Sequence, residues 1–226
     1  MSILYMVGTP IGNLKDITLR ALEILGRVEI IACEDTRHTV KLLNAHGIHT
    51  RLLSCRSQNE ARAAEKIIAE LAAGKEAAYV SDAGTPGLSD PGAVLVRLVR
   101  DAGFKVVPVP GPSAFAALQS LNGFSEKTIT FDGFLSPKGG KRRRRLGELL
   151  DRNEAFVLYE SPFRIAKLLE DLQSLAPDRL ILLGREMTKI YEEFLEGTPG
   201  ELLGELNDRN KIQGEFTLLV STKKKG

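Results

Sequence analysis

Three loops rich in glycine and proline follow apolar segments in the first half of the sequence. They read "GTPIGN" at residues 8–13, "SDAGTPGLSDPG" at residues 81–92 and "PGPSA" at residues 110–114. Glycine permits positive φ and proline restricts φ, so these residue types shape tight backbone turns. A connection between a strand and a helix needs only a few residues. The second loop is longer than that, which indicates a surface shaped to contact a ligand.

The spacing of the glycines argues against two common phosphate-binding motifs. The first loop is not G-x-G-x-x-G, and no lysine followed by serine or threonine comes after a glycine in these loops, so neither a dinucleotide fingerprint nor a Walker motif is supported. Loops that follow parallel strands gather at one edge of the sheet, where ligands bind. We therefore expect the three loops to share one small-molecule pocket. The alternative is that all three are only tight turns.

An alternation of apolar strands and amphipathic helices positions these loops. This βα repeat predicts a mostly parallel sheet covered by helices. Ser57 and Glu60 have the spacing of a capping box, and Asp90 followed by Pro91 predicts the N-cap and first residue of the next helix. Strands are predicted at residues 3–7, 28–33, 77–80 and 105–109, and helices at residues 16–26, 57–74 and 91–103.

The pattern changes after about residue 122, where a second α/β lobe is predicted. We place the domains at residues 1–117 and 118–226. Ser161 with Pro162 and Thr198 with Pro199 each predict a helix start, and Thr198 has the capping-box partner Glu201. Strands are predicted at residues 128–131, 155–160, 179–186 and 215–221.

Composition limits the class of protein. The chain has 226 residues and a formal net charge of +2, with basic clusters at residues 138–145 ("KGGKRRRR") and 223–225. No apolar run is long enough to span a bilayer, and the N-terminus does not resemble a secretory signal. Cys33 and Cys55 are too few for a disulfide framework, and the three histidines are not spaced as a metal site, so we expect a cytoplasmic protein without a metal.

Eight segments carry a resemblance to a known family. The sequence from Leu4 to Val220 resembles the ribosomal RNA small subunit methyltransferase I family, which belongs to the tetrapyrrole methylase superfamily. The resemblance implies two α/β lobes with a cleft for S-adenosylmethionine between them. It also implies a homodimer that methylates the ribose 2′-hydroxyl of a cytidine in 16S ribosomal RNA, free or in the small ribosomal subunit. The segments are "LYMVGTPIGNLKDITLRALEIL", "ACEDTRHT", "SDAGTPGLSDPG", "PGPSA", "GFLSPK", "YESPFR", "REMTK" and "GEFTLLV".

The resemblance also implies which residues bind the cofactor. Adenosine requires apolar walls and backbone hydrogen bonds, and glycine lets the backbone approach closely. The methionine carboxylate suits free N–H groups at a helix start. The implied residues are Pro10, Ile11, Gly84, Thr85, Leu88, Ser113, Ala114, Tyr159, Arg185 and Gly214.

A ribose hydroxyl is a weak nucleophile, so a base or a cation near it would assist the reaction. The catalytic candidates are Glu34, Asp35, Arg37, Asp82, Glu186 and Lys189. An alternative stays open for each group. The "EDTR" segment is also compatible with a helix cap and a local ion pair. Asp82 is compatible with a turn residue, and the group of Arg185, Glu186 and Lys189 with a surface ion network.

Two segments depart from the family pattern. Arg56 and Gln58 stand in "SCRSQNE" where the family usually has a histidine-rich block, and Phe163 stands where it has histidine. Roles assigned to those histidines do not transfer to this chain, whereas the cofactor loops are unaffected.

The arginine run is predicted to contact RNA, as a flexible basic arm, through Arg142, Arg143, Arg144 and Arg145. Neutralising phosphates releases counterions and favours binding; the alternative is a solvated loop. Two other functions remain open. One is a methyltransferase acting on a tetrapyrrole or another small molecule, and the other is a non-catalytic RNA-binding protein.

Overall fold

The computed structural model describes residues 2–124 and 126–222, which form two compact units, Met1–Ser113 and Ala114–Gly226. Each unit contains one five-stranded sheet covered by helices. The domain division that we predicted after residue 117 falls inside the helix Ala114–Gln119, which opens the second unit. The basic cluster at residues 223–225 lies outside the described residues.

The sheet of the first unit is parallel throughout. Its five strands have the order β3-β2-β4-β1-β5. All residues of β2 and β4 are buried, as expected for central parallel strands covered on both faces. The predicted parallel sheet is therefore confirmed. The strands are β1 Ile3–Val7, β2 Ile30–Cys33, β3 Arg51–Ser54, β4 Ala77–Val80 and β5 Lys105–Val109.

Helices cover both faces of this sheet, and an apolar core fills each side. The helices are α1 Leu19–Arg27, α2 Thr36–Ala45, α3 Glu60–Ala72 and α4 Ala93–Asp101. The predicted start near Asp16 is instead a single 3-10 turn, Leu14–Asp16, and α1 begins after Thr18, whose side chain accepts a hydrogen bond from the N–H of Ala21.

The predicted caps of α3 and α4 are wrong. α3 begins at Glu60 with no side-chain cap, so Ser57 and Glu60 do not form a capping box. The buried Glu60 carboxylate accepts hydrogen bonds instead from the backbone N–H groups of Gly92 and Leu95, each at 2.9 Å. Gly92, with φ of 134°, is the N-cap of α4. A distant carboxylate thus supplies the cap that we had assigned to Asp90.

The sheet of the second unit is mixed. Its order is β6-β7-β10-β8-β9, with β6 parallel to β7 and every other pair antiparallel. The strands are β6 Ile129–Phe134, β7 Ala155–Glu160, β8 Ile181–Arg185, β9 Glu193–Gly197 and β10 Phe216–Val220. The helices are α5 Ala114–Gln119, α6 Gly139–Asp151, α7 Ile165–Leu175 and α8 Pro199–Asn207.

Of the two predicted helix starts in the second unit, one is confirmed. Thr198 and Glu201 form the capping box of α8, with Pro199 at the first helical position. The prediction for Ser161 and Pro162 is wrong, since these residues belong to a turn and α7 begins only at Ile165. The basic segment is also not a flexible arm, because it forms α6 and its leucines enter the core of the unit.

The buried contact of Glu60 leads to a stability prediction. Replacing Glu60 with alanine leaves two buried N–H groups at the start of α4 without an acceptor, so we expect the free energy of unfolding to fall by about 1–3 kcal/mol. Glu60→Gln keeps one carbonyl acceptor and should lose less. Urea denaturation measures both, with Glu65→Ala on the exposed side of α3 as the control. An equal, small effect of Glu60→Ala and Glu65→Ala would contradict the assignment.

Candidate functional site

The three loops of the first unit leave β1, β4 and β5, which are neighbours in the sheet. The N–H of Thr9 donates to the carbonyl of Gly84 at 2.9 Å, and the N–H of Gly84 donates back at 3.0 Å. The N–H of Gly8 donates to the carbonyl of Val109 at 3.0 Å. The loops are therefore joined through their backbones at one edge of the sheet, as the sequence predicts.

Glycine is required where these loops meet. A Cβ at Gly8 would lie 2.8 Å from backbone atoms of Gly111, and the reverse is also true. Gly84 has φ of 77°, and a Cβ there would come within 3.4 Å of the Ile11 side chain. Thr85 adds a bond from its hydroxyl to the carbonyl of Pro112, at 3.3 Å. A side chain at these glycines would fill or distort the joined edge.

The edge carries the first-unit residues that the resemblance assigns to the cofactor. Pro10 and Gly84 are buried, Ile11 and Ser113 are half-buried, and Thr85 and Leu88 are exposed. Apolar side chains and closely approached backbone are the surroundings that a nucleoside requires. Ala114 is the first residue of α5.

Acidic residues follow β2 and β4 at the same edge. Asp35 is the N-cap of α2, and its carboxylate accepts from the Arg37 backbone N–H at 2.8 Å and from the Arg37 guanidinium at 2.6 Å. These bonds hold the pKa of Asp35 well below its usual range. The backbone N–H of Asp35 donates to the Asp82 carboxylate at 2.9 Å. Asp35 and Arg37 thus form the helix cap with a local ion pair. The Asp82 carboxylate connects its own loop to the start of α2 by a hydrogen bond.

Glu34 differs from these neighbours. No hydrogen bond to its carboxylate is found among residues 2–124 and 126–222, and the side chain is half-buried. Burial raises the pKa of Glu34, and the negative charges of Asp82 and Asp90 raise it further. Arg56, one of the departures from the family pattern, acts in the opposite direction and donates from Nε to the Glu34 backbone carbonyl at 3.1 Å. Among the carboxylates of Glu34, Asp35 and Glu186, Glu34 is the one whose pKa is raised rather than lowered.

The candidates of the second unit form an ion network. Lys189 contacts the carboxylates of Glu186 at 2.8 Å and Glu215 at 3.0 Å. Arg185 donates to the carbonyl of Gln213 at 2.6 Å and pairs with Glu193 at 3.3 Å. Arg185, Glu186 and Lys189 therefore take part in ion pairs, as expected from the alternative that this group is an ion network.

Two further second-unit residues that the resemblance assigns to the cofactor have defined surroundings. Gly214 has φ of 97°, and a side chain there would collide with the Glu186 side chain. The Tyr159 hydroxyl accepts from the backbone N–H of Phe115 at 3.0 Å. The Tyr159 ring lies edge-on to Phe131 and Phe134, with centroids 4.9 and 5.6 Å away.

The four arginines of α6 differ in how accessible they are. Arg142 is buried, and its Nε lies 2.7 Å from the buried carboxylate of Asp171, which also pairs with Arg143 at 2.5 Å. Arg145 pairs with Asp132 at 2.5 Å. Arg143 and Arg144 keep most of their side chains exposed, 64% and 84% respectively. The predicted RNA contact of the four residues is untested, but burial gives Arg142 a structural position.

Within the part of the chain that the structure describes, no group of three or more histidine, cysteine, aspartate or glutamate side chains could hold a metal ion. Among the same residues, no helix is long and apolar enough to cross a membrane.

A sequence profile of the tetrapyrrole (corrin/porphyrin) methylases matches residues 3–203. The chain is 49% identical to the ribosomal RNA small subunit methyltransferase I of Borrelia garinii subsp. bavariensis over 219 residues, which is 96% of this chain and 98% of the relative. The chain belongs to the ribosomal RNA small subunit methyltransferase I family of tetrapyrrole methylases. The protein of the same name from Neisseria meningitidis serogroup B is 48% identical over 96% of this chain and 75% of the relative.

A solved structure shows the same fold. The uroporphyrin-III-C-methyltransferase of Thermus thermophilus aligns with a TM-score of 0.67 at 18% identity, over 98% of this chain and 94% of that chain. The family resemblance and the tetrapyrrole methylase fold are thereby confirmed. At 18% identity this likeness shows the fold of the chain and nothing about its substrate.

Sequence reasoning missed two residues near the loops of this family member. Asp90, assigned as a cap, contributes negative charge near Glu34, and burial raises the pKa of Asp90 itself. Glu60 fixes the far end of the long loop at Gly92. Neither role could be recognised from neighbouring residues in the sequence, because each residue acts on a segment that is distant along the chain.

The raised pKa of Glu34 predicts a pH-dependent effect on stability. At pH values above the ordinary pKa of 4.5, folded Glu34 binds more protons than unfolded Glu34 does. The Glu34 carboxyl therefore destabilises the folded state increasingly as the pH rises through the folded pKa. Glu34→Gln removes that penalty. We expect the variant to gain stability relative to wild type between pH 4 and pH 7, measured by urea denaturation at both values.

The control for this measurement is Glu65→Gln, an exposed carboxylate on α3. A stability difference for Glu34→Gln that does not change between the two pH values would show that the Glu34 carboxyl has no raised pKa in the folded protein.

Proposed function

We propose that this protein transfers a methyl group from S-adenosylmethionine to the ribose 2′-hydroxyl of a cytidine in 16S ribosomal RNA. One observation carries the proposal: 49% identity to a ribosomal RNA small subunit methyltransferase I, over 96% of this chain and 98% of the relative. We further propose that it acts in the cytoplasm as a homodimer on small ribosomal subunits or their RNA.

The cofactor's nucleoside fits the joined loops of the first unit. Gly84 is buried, and its positive φ of 77° favours glycine, which leaves the backbone of this edge open to a ligand. Pro10, Leu88 and Ser113 complete the proposed wall. Contributions of Ala114, Tyr159, Arg185 and Gly214 stay predictions from the resemblance.

The cofactor supplies a methyl group already activated on a sulfonium. Bound at these loops, it would supply that methyl group to the 2′-oxygen as the bond from sulfur to carbon breaks, and S-adenosylhomocysteine would leave. The hydroxyl proton must go to a base. The loops contribute by holding the reactants in line and excluding water, which supplies a large share of the rate in reactions of this type.

Glu34 is the proposed base. Its carboxylate accepts no hydrogen bond among the described residues, and burial with nearby acidic charge raises its pKa, which makes it a stronger base than an ordinary carboxylate. Asp35 and Asp82 are engaged in backbone contacts, which leaves them to position the segment rather than to accept the proton.

Two assays test the proposed function. Wild-type protein is incubated with methyl-labelled S-adenosylmethionine and either small ribosomal subunits or bare 16S RNA, and nucleosides are analysed after digestion. We expect label in 2′-O-methylcytidine. Label in a supplied tetrapyrrole but not in RNA would instead support the small-molecule function. Cofactor binding measured by calorimetry without any transfer would support a non-catalytic RNA-binding protein.

Gly84→Ala tests the cofactor edge directly. The added Cβ strains a positive-φ residue and approaches Ile11, so we expect cofactor affinity to fall about 10-fold or more, or roughly 1.4 kcal/mol, by calorimetry. Gly103→Ala is the matched control, because Gly103 also has positive φ, 83°, with nothing near its Cβ position. Equal losses in the two variants would show that backbone strain alone explains the effect.

A further inference from the structure

Two exposed phenylalanines stand out in the second unit. Phe163 is 88% exposed and Phe134 is 59% exposed. Phe134 is the last residue of β6, and Phe163 lies in the turn between β7 and α7. The strands β6 and β7 pair in parallel. The residues that follow the two strands therefore emerge at the same edge of the sheet. Large apolar side chains exposed together commonly mark an interaction site.

The turn that carries Phe163 is held rigidly. The Glu160 carboxylate, 2% exposed, accepts from the N–H of Ser161 at 2.8 Å and pairs with Arg164 at 2.9 Å. Arg164 also donates to the carbonyl of Leu135, the residue after Phe134, at 2.6 Å. A buried ion pair thus ties the Phe163 turn to the end of β6. The contacts order the backbone while leaving the Phe163 ring in solvent.

Unpaired positive charge follows Phe134 closely along the chain. Lys138 and Lys141, at the start of α6, are exposed, and among the described residues neither forms an ion pair. Lys138 comes four positions after Phe134, a span of at most about 14 Å. The N-terminus of α6 adds the positive end of its dipole. The carboxylates near α6 are already used by arginines: Asp171 by Arg142 and Arg143, and Asp132 by Arg145.

We propose that Phe134 and Phe163 stack on bases of single-stranded RNA while Lys138 and Lys141 contact its phosphates. Single-strand binding sites combine aromatic platforms with a basic track in this way. The Phe134 ring contacts the Tyr159 ring, with centroids 5.6 Å apart. The inference rests on the proposed function, since it names the surface that presents the RNA, and it moves the RNA contact from the paired arginines to the unpaired lysines.

Binding of a fluorescein-labelled single-stranded oligocytidine to the full-length protein, followed by anisotropy, tests the surface. Removing both rings in Phe134→Ala/Phe163→Ala should weaken binding by about 10-fold to 100-fold. Phe163→Trp should retain wild-type affinity. Leu19→Ala, which removes an exposed apolar side chain from the first unit, is the control and should bind as wild type does.

The lysines have a separate signature in the salt dependence of binding. Each phosphate contact to a single strand contributes about 0.7 to the slope of log K against log salt, so Lys138→Ala/Lys141→Ala should reduce the slope by about 1.4. Lys66→Ala/Lys105→Ala, two exposed lysines of the first unit, should leave the slope unchanged. An equal change in both double variants would overturn the assignment of the phosphate contacts.

The same variants separate this inference from the proposed function. If wild type methylates ribosomal RNA but Phe134→Ala/Phe163→Ala keeps full RNA affinity, the surface is wrong and the function stands. If that variant instead loses self-association in sedimentation with RNA affinity intact, the rings form an interface between two copies, which also overturns the proposal. If wild type transfers no methyl group to RNA, the function is wrong, and the oligonucleotide titration alone decides the surface.

Discussion

The paired backbone hydrogen bonds between Thr9 and Gly84 hold together loops that leave two different strands of the first sheet. The third loop joins the first one at a point where no side chain fits, because Gly8 and Gly111 approach so closely that a Cβ on either would meet the backbone of the other. Once the loops are joined, the edge of the sheet presents backbone and small apolar groups. This joined edge forms the candidate site for the methyl donor. It also positions the neighbouring acidic residues on which the proposed reaction depends.

Buried carboxylates stabilise the segments around the predicted sites. Glu60 caps α4 and so fixes the end of the long loop, Glu160 holds the turn of Phe163, and Asp171 binds two arginines of α6. A buried charge is tolerated only when hydrogen bonds or an opposite charge compensate it, and removing one partner is costly. These contacts therefore make the loops and turns rigid. They also explain why a run of arginines forms an ordered helix rather than a solvated arm.

The sequence predicted the parallel character of the first sheet and most of the strands that the structure describes, but it missed β3, Arg51–Ser54, and β9, Glu193–Gly197. Continuous apolar runs such as residues 77–80 predicted β4 at its observed bounds, since a buried parallel strand needs no alternation. Helix caps were predicted correctly only where partners are local, as at Thr198. The capping role of Glu60 was not predictable, because its partners lie more than 30 residues away. The ion pairs of the α6 arginines likewise could not be predicted, because their partners Asp132 and Asp171 come close only in the folded chain.

For the candidate site, the glycine-rich loops were predicted to meet at one edge of the sheet, and they do so because the topology of parallel strands brings such loops together. Composition alone could not separate Glu34 from Asp35, two adjacent carboxylates that the fold places in opposite electrostatic situations. The difference arises from a cap bond and an ion pair in one case and from burial among acidic neighbours in the other.

The central claim is that the joined loops of the first unit bind the nucleoside-bearing methyl donor. Hydrogen–deuterium exchange of the full chain, with and without S-adenosylhomocysteine, tests it most directly. The account predicts slower exchange at residues 8–13, 81–92 and 110–113 when the ligand is present. Unchanged exchange in all three loops, at ligand concentrations that saturate binding by calorimetry, would contradict it.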